Sequence, residues 1–351
     1  MSSSDYYSAM SEVDIPGLRA AAKSRSLDLY SYLMVLHAND CREGAKSAYP
    51  DVGLSTHKVS VHQKSGTSRY SRNMITDAGA AVTAMKQLGL TGASAALPFD
   101  LLLRGAVLLE FDFTLEKQYL SRDDTPFYPI DNPVRKEFVF KTPMVSGSSW
   151  KGNLRSAAVE NMLTRNTSPD QKRQERYSLI DVFGDEKGNG DEPSTHPDRA
   201  LGQFLNDYFG FCPLGRRRGR LRCLPSYFDR IDLDVLNPRD RETRAGTQPI
   251  VFEVVPPGAT ARFGLFYFPF DLLGHSDSKR TAAVREDWRL IGEAVHQMLR
   301  VSGFGAKKSS GCGKARSAIA NARFEAEDWA GSALTDLNQL IHLAEGFKVS
   351  S

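Results

Sequence analysis

No stretch of the chain approaches the roughly 18 consecutive apolar residues that a membrane-spanning helix needs. Met1 to Asp14 is polar and acidic and lacks the apolar run of a secretory leader. Cysteine is sparse: Cys41, Cys212, Cys223 and Cys312 stand far apart and form no CxxC pair, which argues against a disulfide scaffold or a zinc ribbon. Cys212, Cys223 and His196 match no standard zinc spacing. A large excess of either charge is also missing, since 45 Lys and Arg against 42 Asp and Glu give a formal net charge of +3. The overall balance makes no case for a nucleic-acid partner, so any such case must come from where the charges sit. With 41% hydrophobic residues, the composition is not that of a disordered or collagen-like chain. What remains is 351 residues, enough for one large domain or two ordinary ones with a real core. The expectation is a soluble, cytoplasmic protein without a membrane partner.

The chain changes character about a third of the way along. Residues 17–48 carry Leu18, Leu27, Leu29, Leu33 and Leu36 at helical spacing, a polar stretch follows at 51–73, and Ile75 to Leu88 forms an apolar helical run. From Ala106 to Phe113 the pattern turns apolar and then alternates, as in a half-buried strand. Ser148 to Arg165 reads as an amphipathic helix with Leu154, Ala157, Ala158 and Met162 on one face. Residues 166–200 are polar and weakly patterned, as in a long insertion. Strands are expected at Leu221–Leu224, Pro249–Val255 and Ala261–Pro269, the last two forming a hairpin across Pro256-Pro257-Gly258. A long helix, Ala282 to Val301, follows. There is no internal repeat, and strands interleaved with hairpins favour an α+β fold over a parallel doubly wound sheet.

Residues 303–314, Gly-Phe-Gly-Ala-Lys-Lys-Ser-Ser-Gly-Cys-Gly-Lys, are the most informative stretch. Gly303, Gly305, Gly311 and Gly313 let the backbone approach a ligand closely, while Lys307, Lys308, Lys314, Ser309 and Ser310 supply charge and hydroxyls. Such a loop is suited to phosphate. It is not a P-loop: Lys308 stands where the first glycine should be, and Ala315 follows Lys314. It also lacks the third glycine of a dinucleotide fingerprint. A polynucleotide backbone fits better than a mononucleotide, the alternative being a plain glycine turn after a helix.

A second anion-type segment is Pro143 to Arg155, where Gly147-Ser148-Ser149 opens directly into a helix. Free N–H groups and the positive dipole end converge there, and Lys151 and Arg155, four apart, share a face. Taken alone, this reads as an ordinary serine cap with solvated cations. Two such segments in one chain suit a long polyanion.

The Gly-Ser-Ser-x-Lys-Gly-x-x-Arg helix start and the terminal glycine loop together resemble the RAMP superfamily of CRISPR-associated proteins, the guide-RNA-binding subunits of type III effector complexes. Asp234 to Pro238, Pro249 to Phe252 and Pro257-Gly258-Ala259 share the resemblance, which covers about 105–320. It implies a ferredoxin-like, RRM-related core from residue 101 to 351: a four-stranded antiparallel sheet with two helices and an irregular insertion around 166–220. Residues 1–100 would form a mainly helical N-terminal extension. It further implies that Ser148, Ser149, Lys151, Arg155 and the 303–314 loop hold the backbone of a guide crRNA. Target single-stranded RNA and other CRISPR effector subunits would be the remaining partners.

In RNA-cutting members an Ile-Asp-x-Pro-Val segment carries the aspartate needed for metal-dependent cleavage, and Ile130-Asp131-Asn132-Pro133-Val134 matches it at Asp131. A carboxylate there could hold a Mg²⁺ beside the scissile phosphate. Asp131-Asn132-Pro133 is equally a favoured turn, and Leu120 to Phe127 lacks the glycines of cutting members. Alternatives are a non-catalytic capping subunit or a guide-processing endoribonuclease using His57 and His62.

Finally, five arginines in the seven positions 216–222 (Arg216, Arg217, Arg218, Arg220, Arg222) point to RNA contact or to a solvated turn. The strand after them would bring Tyr227 and Phe228 toward bases.

Overall fold

The computed structural model describes residues 69–92, 101–122, 132–184, 218–236, 250–327 and 333–347. His57, His62, Asp131, His196, Cys212, Arg216 and Arg217 fall outside them, as do the helical runs at 17–48. Among the described residues no helix is long and apolar enough to cross a membrane. The chain divides into two compact units. One comprises Met1–Ala81, Ser121–Pro143 and Asp229–Val255; the other comprises Val82–Leu120, Met144–Phe228 and Pro256–Ser351.

The elements in chain order are α1 (Arg69–Gln87), β1 (Val107–Leu115), β2 (Met144–Val145), α2 (Gly147–Thr164), α3 (Pro169–Phe183) and β3 (Leu221–Cys223). They continue with β4 (Ser226–Tyr227), β5 (Asp232–Leu236), β6 (Ile250–Val254), β7 (Thr260–Tyr267), α4 (Asp277–His296) and β8 (Ala315–Ala326). The larger unit is built on an antiparallel sheet of order β3-β7-β1-β8. With α2 after β1 and α4 after β7, this is the βαββαβ succession of a ferredoxin-like α+β core.

Alternation in the strands decides which face is buried. Val107, Leu109, Phe111 and Phe113 of β1 pair with Tyr267, Leu265, Phe263 and Ala261 of β7, and all eight are buried. Trp150 of α2 meets Phe113 and Phe263 edge-on, and Trp288 of α4 meets Tyr267 and Phe324 the same way. The other face of β1 is polar. Arg262 bonds Asp112 at 3.0 Å and the fully buried Glu110 at 3.2 Å, and Arg323 lies 3.7 Å from Glu110.

The sequence expectation for the 249–269 segment is overturned. β6 pairs with β5, residue Asp232 opposite Val254, whereas β7 pairs with β1 and β3. The chain does turn at Pro256, but prolines donate no ladder bond. The donors that follow go elsewhere: Gly258 N–H donates to Leu115 O at 2.8 Å, and Ala259 O accepts from Leu115 N–H at 2.9 Å.

The 166–200 stretch also differs, since its first half is helical. Ser168 and Gln171 form a reciprocal capping box and Pro169 occupies the first turn of α3. Leu179, Ile180 and Val182 are buried on its inner side.

Arg220 ties these elements together. Its side chain is 4% exposed and makes two bonds to Asp271, at 2.8 and 2.6 Å, and one to Asp287 at 2.7 Å. The Tyr267 hydroxyl donates to the same Asp287 at 2.6 Å. Burial works against the Arg220 charge, but the bonds to Asp271 and Asp287 more than offset it and raise its pKa. Burial pushes the Asp287 carboxyl up to about 6, against the downward pull of Arg220 and Tyr267.

A carboxyl whose pKa is higher folded than unfolded takes up a proton on folding, so it adds stability as pH falls. That contribution is absent above the folded value of about 6 and complete below the unfolded value of 3.8. In urea titrations from pH 7 to pH 4, the wild type should gain stability relative to Asp287→Asn. A difference that stays constant over that range would count against this reading.

Candidate nucleic-acid interface

The N-terminus of α2 is set by its cap. Ser146 accepts from Ser149 N–H at 3.2 Å, and its hydroxyl lies 3.0 Å from Ser148 Oγ and 2.9 Å from Ser149 Oγ. Gly147 is required by close approach, because a Cβ there would lie 2.2 Å from Cys223 O. This seats the first turn of α2 against β3. Trp150 is fully buried and donates to Ser226 Oγ at 2.8 Å, while Lys151, next in sequence, is only half-buried.

Lys151 stands among like charges. Its pKa is lowered, first by burial and then by Arg222, Arg218 and Arg155. Arg222 is depressed in the same way, by burial and then by Arg218. Burial also pushes the neighbouring Cys223 thiol up to about 12, although Lys151 and Arg222 pull it down. Residues from α2 and from the arginine-rich segment before and within β3 thus converge on one basic cluster. An anion would relieve the mutual repulsion there.

Within the arginine run the residues divide. Arg218 is exposed, Arg222 is half-buried beside Lys151, and Arg220 points into the core. The expectation that Arg220 faces RNA gives way to the structural role described above, because its donors are taken by Asp271 and Asp287. A chain bend at Arg220, just ahead of β3, breaks the alternation that would have placed it with Arg222. The expectation for Phe228 likewise gives way. It is fully buried, with its ring 5.5 Å from that of Tyr119 and 6.0 Å from that of Phe113.

The glycine loop begins where α4 ends in a π-turn, Gln297–Ser302. Gly303, Gly305, Gly311 and Gly313 all have positive φ, and so does Lys307 at 56°. The loop is pinned at both ends. Phe304 N–H donates to Gly313 O, Ala306 N–H to Leu120 O and Gly313 N–H to Gln118 O. Lys307, Ser309 and Ser310 are exposed, and Lys308, Gly311 and Lys314 are half-buried.

Gly313 is the tightest point, since a Cβ would lie 1.9 Å from Phe304 O on a backbone with φ 72°. Gly313→Ala should therefore destabilise the fold by about 2–4 kcal/mol, read from the urea midpoint. A loss under about 0.5 kcal/mol would contradict the geometry.

One aromatic cluster supports both segments. The Phe304 ring of the loop lies 4.5 Å from Trp150 of α2, 5.1 Å from Tyr119 and 6.2 Å from Phe113. The helix start and the glycine loop, far apart in sequence, are therefore neighbours in space. Among the described residues no group of three or more His, Cys, Asp or Glu is placed to hold a metal ion.

The chain belongs to the RAMP superfamily, whose family model matches residues 76–316, taking in the basic cluster and the glycine loop. Among solved structures it is similar to a chain of the type III-B Cmr-beta bound to cognate target RNA. That similarity has 13% identity and a TM-score of 0.44, and covers 89% of this chain and 98% of that one. It is also similar to a chain of a type IV-B CRISPR complex, at 15% identity and a TM-score of 0.37, covering 66% and 98%. No curated protein matches the sequence.

Proposed function

We propose that this protein is a guide-RNA-binding subunit of a type III CRISPR effector complex that grips the sugar-phosphate backbone without reading its sequence. The observation that carries the reading is the meeting of Lys151, Arg155, Arg218 and Arg222 beside a helix start that shares its aromatic support with the Gly303–Lys314 loop. Cations and backbone N–H groups contact phosphates, which are the same at every base, so affinity would depend on salt and not on sequence. The other partners in this reading are further effector subunits and a target single-stranded RNA.

The test is fluorescence anisotropy of the full chain with unstructured RNAs of unrelated sequence across a salt series. The expected result is similar affinity for each RNA, with log K falling linearly against log salt at about 0.7 per phosphate contact. Binding that hardly weakens as salt rises would overturn the proposal.

Target cutting at Asp131 extends the same proposal. A Mg²⁺ there would be held by this carboxylate together with phosphate oxygens and water, the usual way that ion binds at phosphate chemistry. In single-turnover assays of the assembled complex, Asp131→Ala should abolish cuts in the target while guide binding is retained. Unchanged cutting would remove Asp131 from the reaction.

A further inference from the structure

Unit Met1–Ala81/Ser121–Pro143/Asp229–Val255 carries a turn, Glu137 to Thr142, that the backbone reading does not use. Its base is firmly mounted. Lys136 and Glu253 form an ion pair with 4% and 0% of their side chains exposed. Glu253 also accepts from Val134 N–H at 3.0 Å, and its own N–H donates to Asn132 O at 3.1 Å.

The turn itself is tight. Glu137 N–H donates to Thr142 O and Lys141 N–H to Glu137 O, while the Glu137 carboxylate accepts from the N–H groups of Val139 and Phe140. The tip therefore turns its acidic group inward. What it presents outward is Phe138, 83% exposed, and Val139, 73% exposed. Lys141, with φ 54°, sets its ammonium 4.5 Å from the Phe138 ring centroid. Arg135 is exposed near the base.

A lone exposed apolar residue needs no explanation. An aromatic ring held out on a hydrogen-bonded turn, with a cation at its face, is a different case. Two adjacent apolar side chains are too few for a protein interface. A ring beside a cation matches the two parts of an unpaired nucleotide, a flat base and a phosphate. We propose that Phe138 is a stacking tip: it stacks on an unpaired base of single-stranded RNA, and Lys141 meets the adjoining phosphate. This inference rests on the RNA reading above and adds to it a contact with a base face.

The experiment uses the full chain with a fluorescein-labelled oligouridylate and, in parallel, an RNA duplex of equal length. Phe138→Ala should weaken oligouridylate binding about tenfold, the usual effect of removing one stacking platform. The salt slope should stay unchanged, because stacking displaces no counterions. Duplex binding should not change, since a duplex offers no splayed base, and Phe138→Trp should restore single-strand affinity. Phe138→Ala affinity within about twofold of wild type, or an equal loss on duplex, would overturn the inference while leaving the backbone reading intact. Wild-type protein that binds neither RNA in a salt-dependent way would overturn both. Thermal unfolding of each variant checks that the exposed substitution leaves the fold alone.

Discussion

A chain carrying Lys151→Glu and Arg222→Glu should bind single-stranded RNA about 100-fold more weakly than wild type at about 0.1 M salt. The two side chains come from different elements, α2 and β3, yet the charge of Arg222 is felt at Lys151. Reversing both removes two phosphate partners and places two repulsive groups among Arg155 and Arg218. The slope of log K against log salt should flatten by about 1.4, twice the single-strand value per contact. Neutral Lys151→Gln with Arg222→Gln separates lost attraction from new repulsion and should cost about tenfold. Neither substitution touches the sheet's buried face, so urea midpoints should remain close to wild type. Unchanged affinity in the double Glu variant, with the fold intact, would remove the basic cluster from RNA recognition.

Arg220→Met should be the most destabilising of the arginine substitutions, by about 3–5 kcal/mol. It leaves Asp287, with 4% of its side chain exposed, and Asp271, 20% exposed, without the cation that neutralises them. Natural domains have only about 5–15 kcal/mol of stability, so the variant should populate unfolded chain under mild conditions. Arg220→Lys keeps the charge but cannot bridge two carboxylates with a planar fork, and should lose about 1–3 kcal/mol. The measurement is equilibrium urea unfolding. A loss below about 1 kcal/mol for the Met variant would mean that the network behaves like an exposed ion pair. Arg222→Met gives the contrast, because its bonds are to backbone carbonyls at 3.0 Å and its expected effect is on RNA affinity.

The contrast between Arg220 and Arg222 illustrates how far the sequence could be read. The alternating apolar positions of β1 and the capped start of α2 were legible, because periodicity and capping are local. The α+β fold follows from them, whereas the two glycine-serine motifs carry the resemblance to the RAMP superfamily, whose family model matches residues 76–316. The Ser168-Pro169-Asp170-Gln171 start of α3 was legible too, as a capping box, and would have shortened the expected irregular insertion. The division of labour among the arginines was not. Three arginines at alternate positions, Arg218, Arg220 and Arg222, look equivalent until a bend turns one of them toward two aspartates that lie 51 and 67 residues away. The partner of β6 was equally hidden, since antiparallel pairing depends on where distant donors are claimed, here by Leu115.

The tilted packing of Phe304 against Trp150 has a consequence for how substitutions combine. Trp150 precedes Lys151, and Phe304 lies between the glycines Gly303 and Gly305, so neither segment can shift without disturbing the other's support. Free energies of perturbation in the two places should then fail to add, with an interaction term of about 0.5–3 kcal/mol in a double-mutant cycle. The helix start and the loop are thus one thermodynamic unit, although about 150 residues of chain separate them.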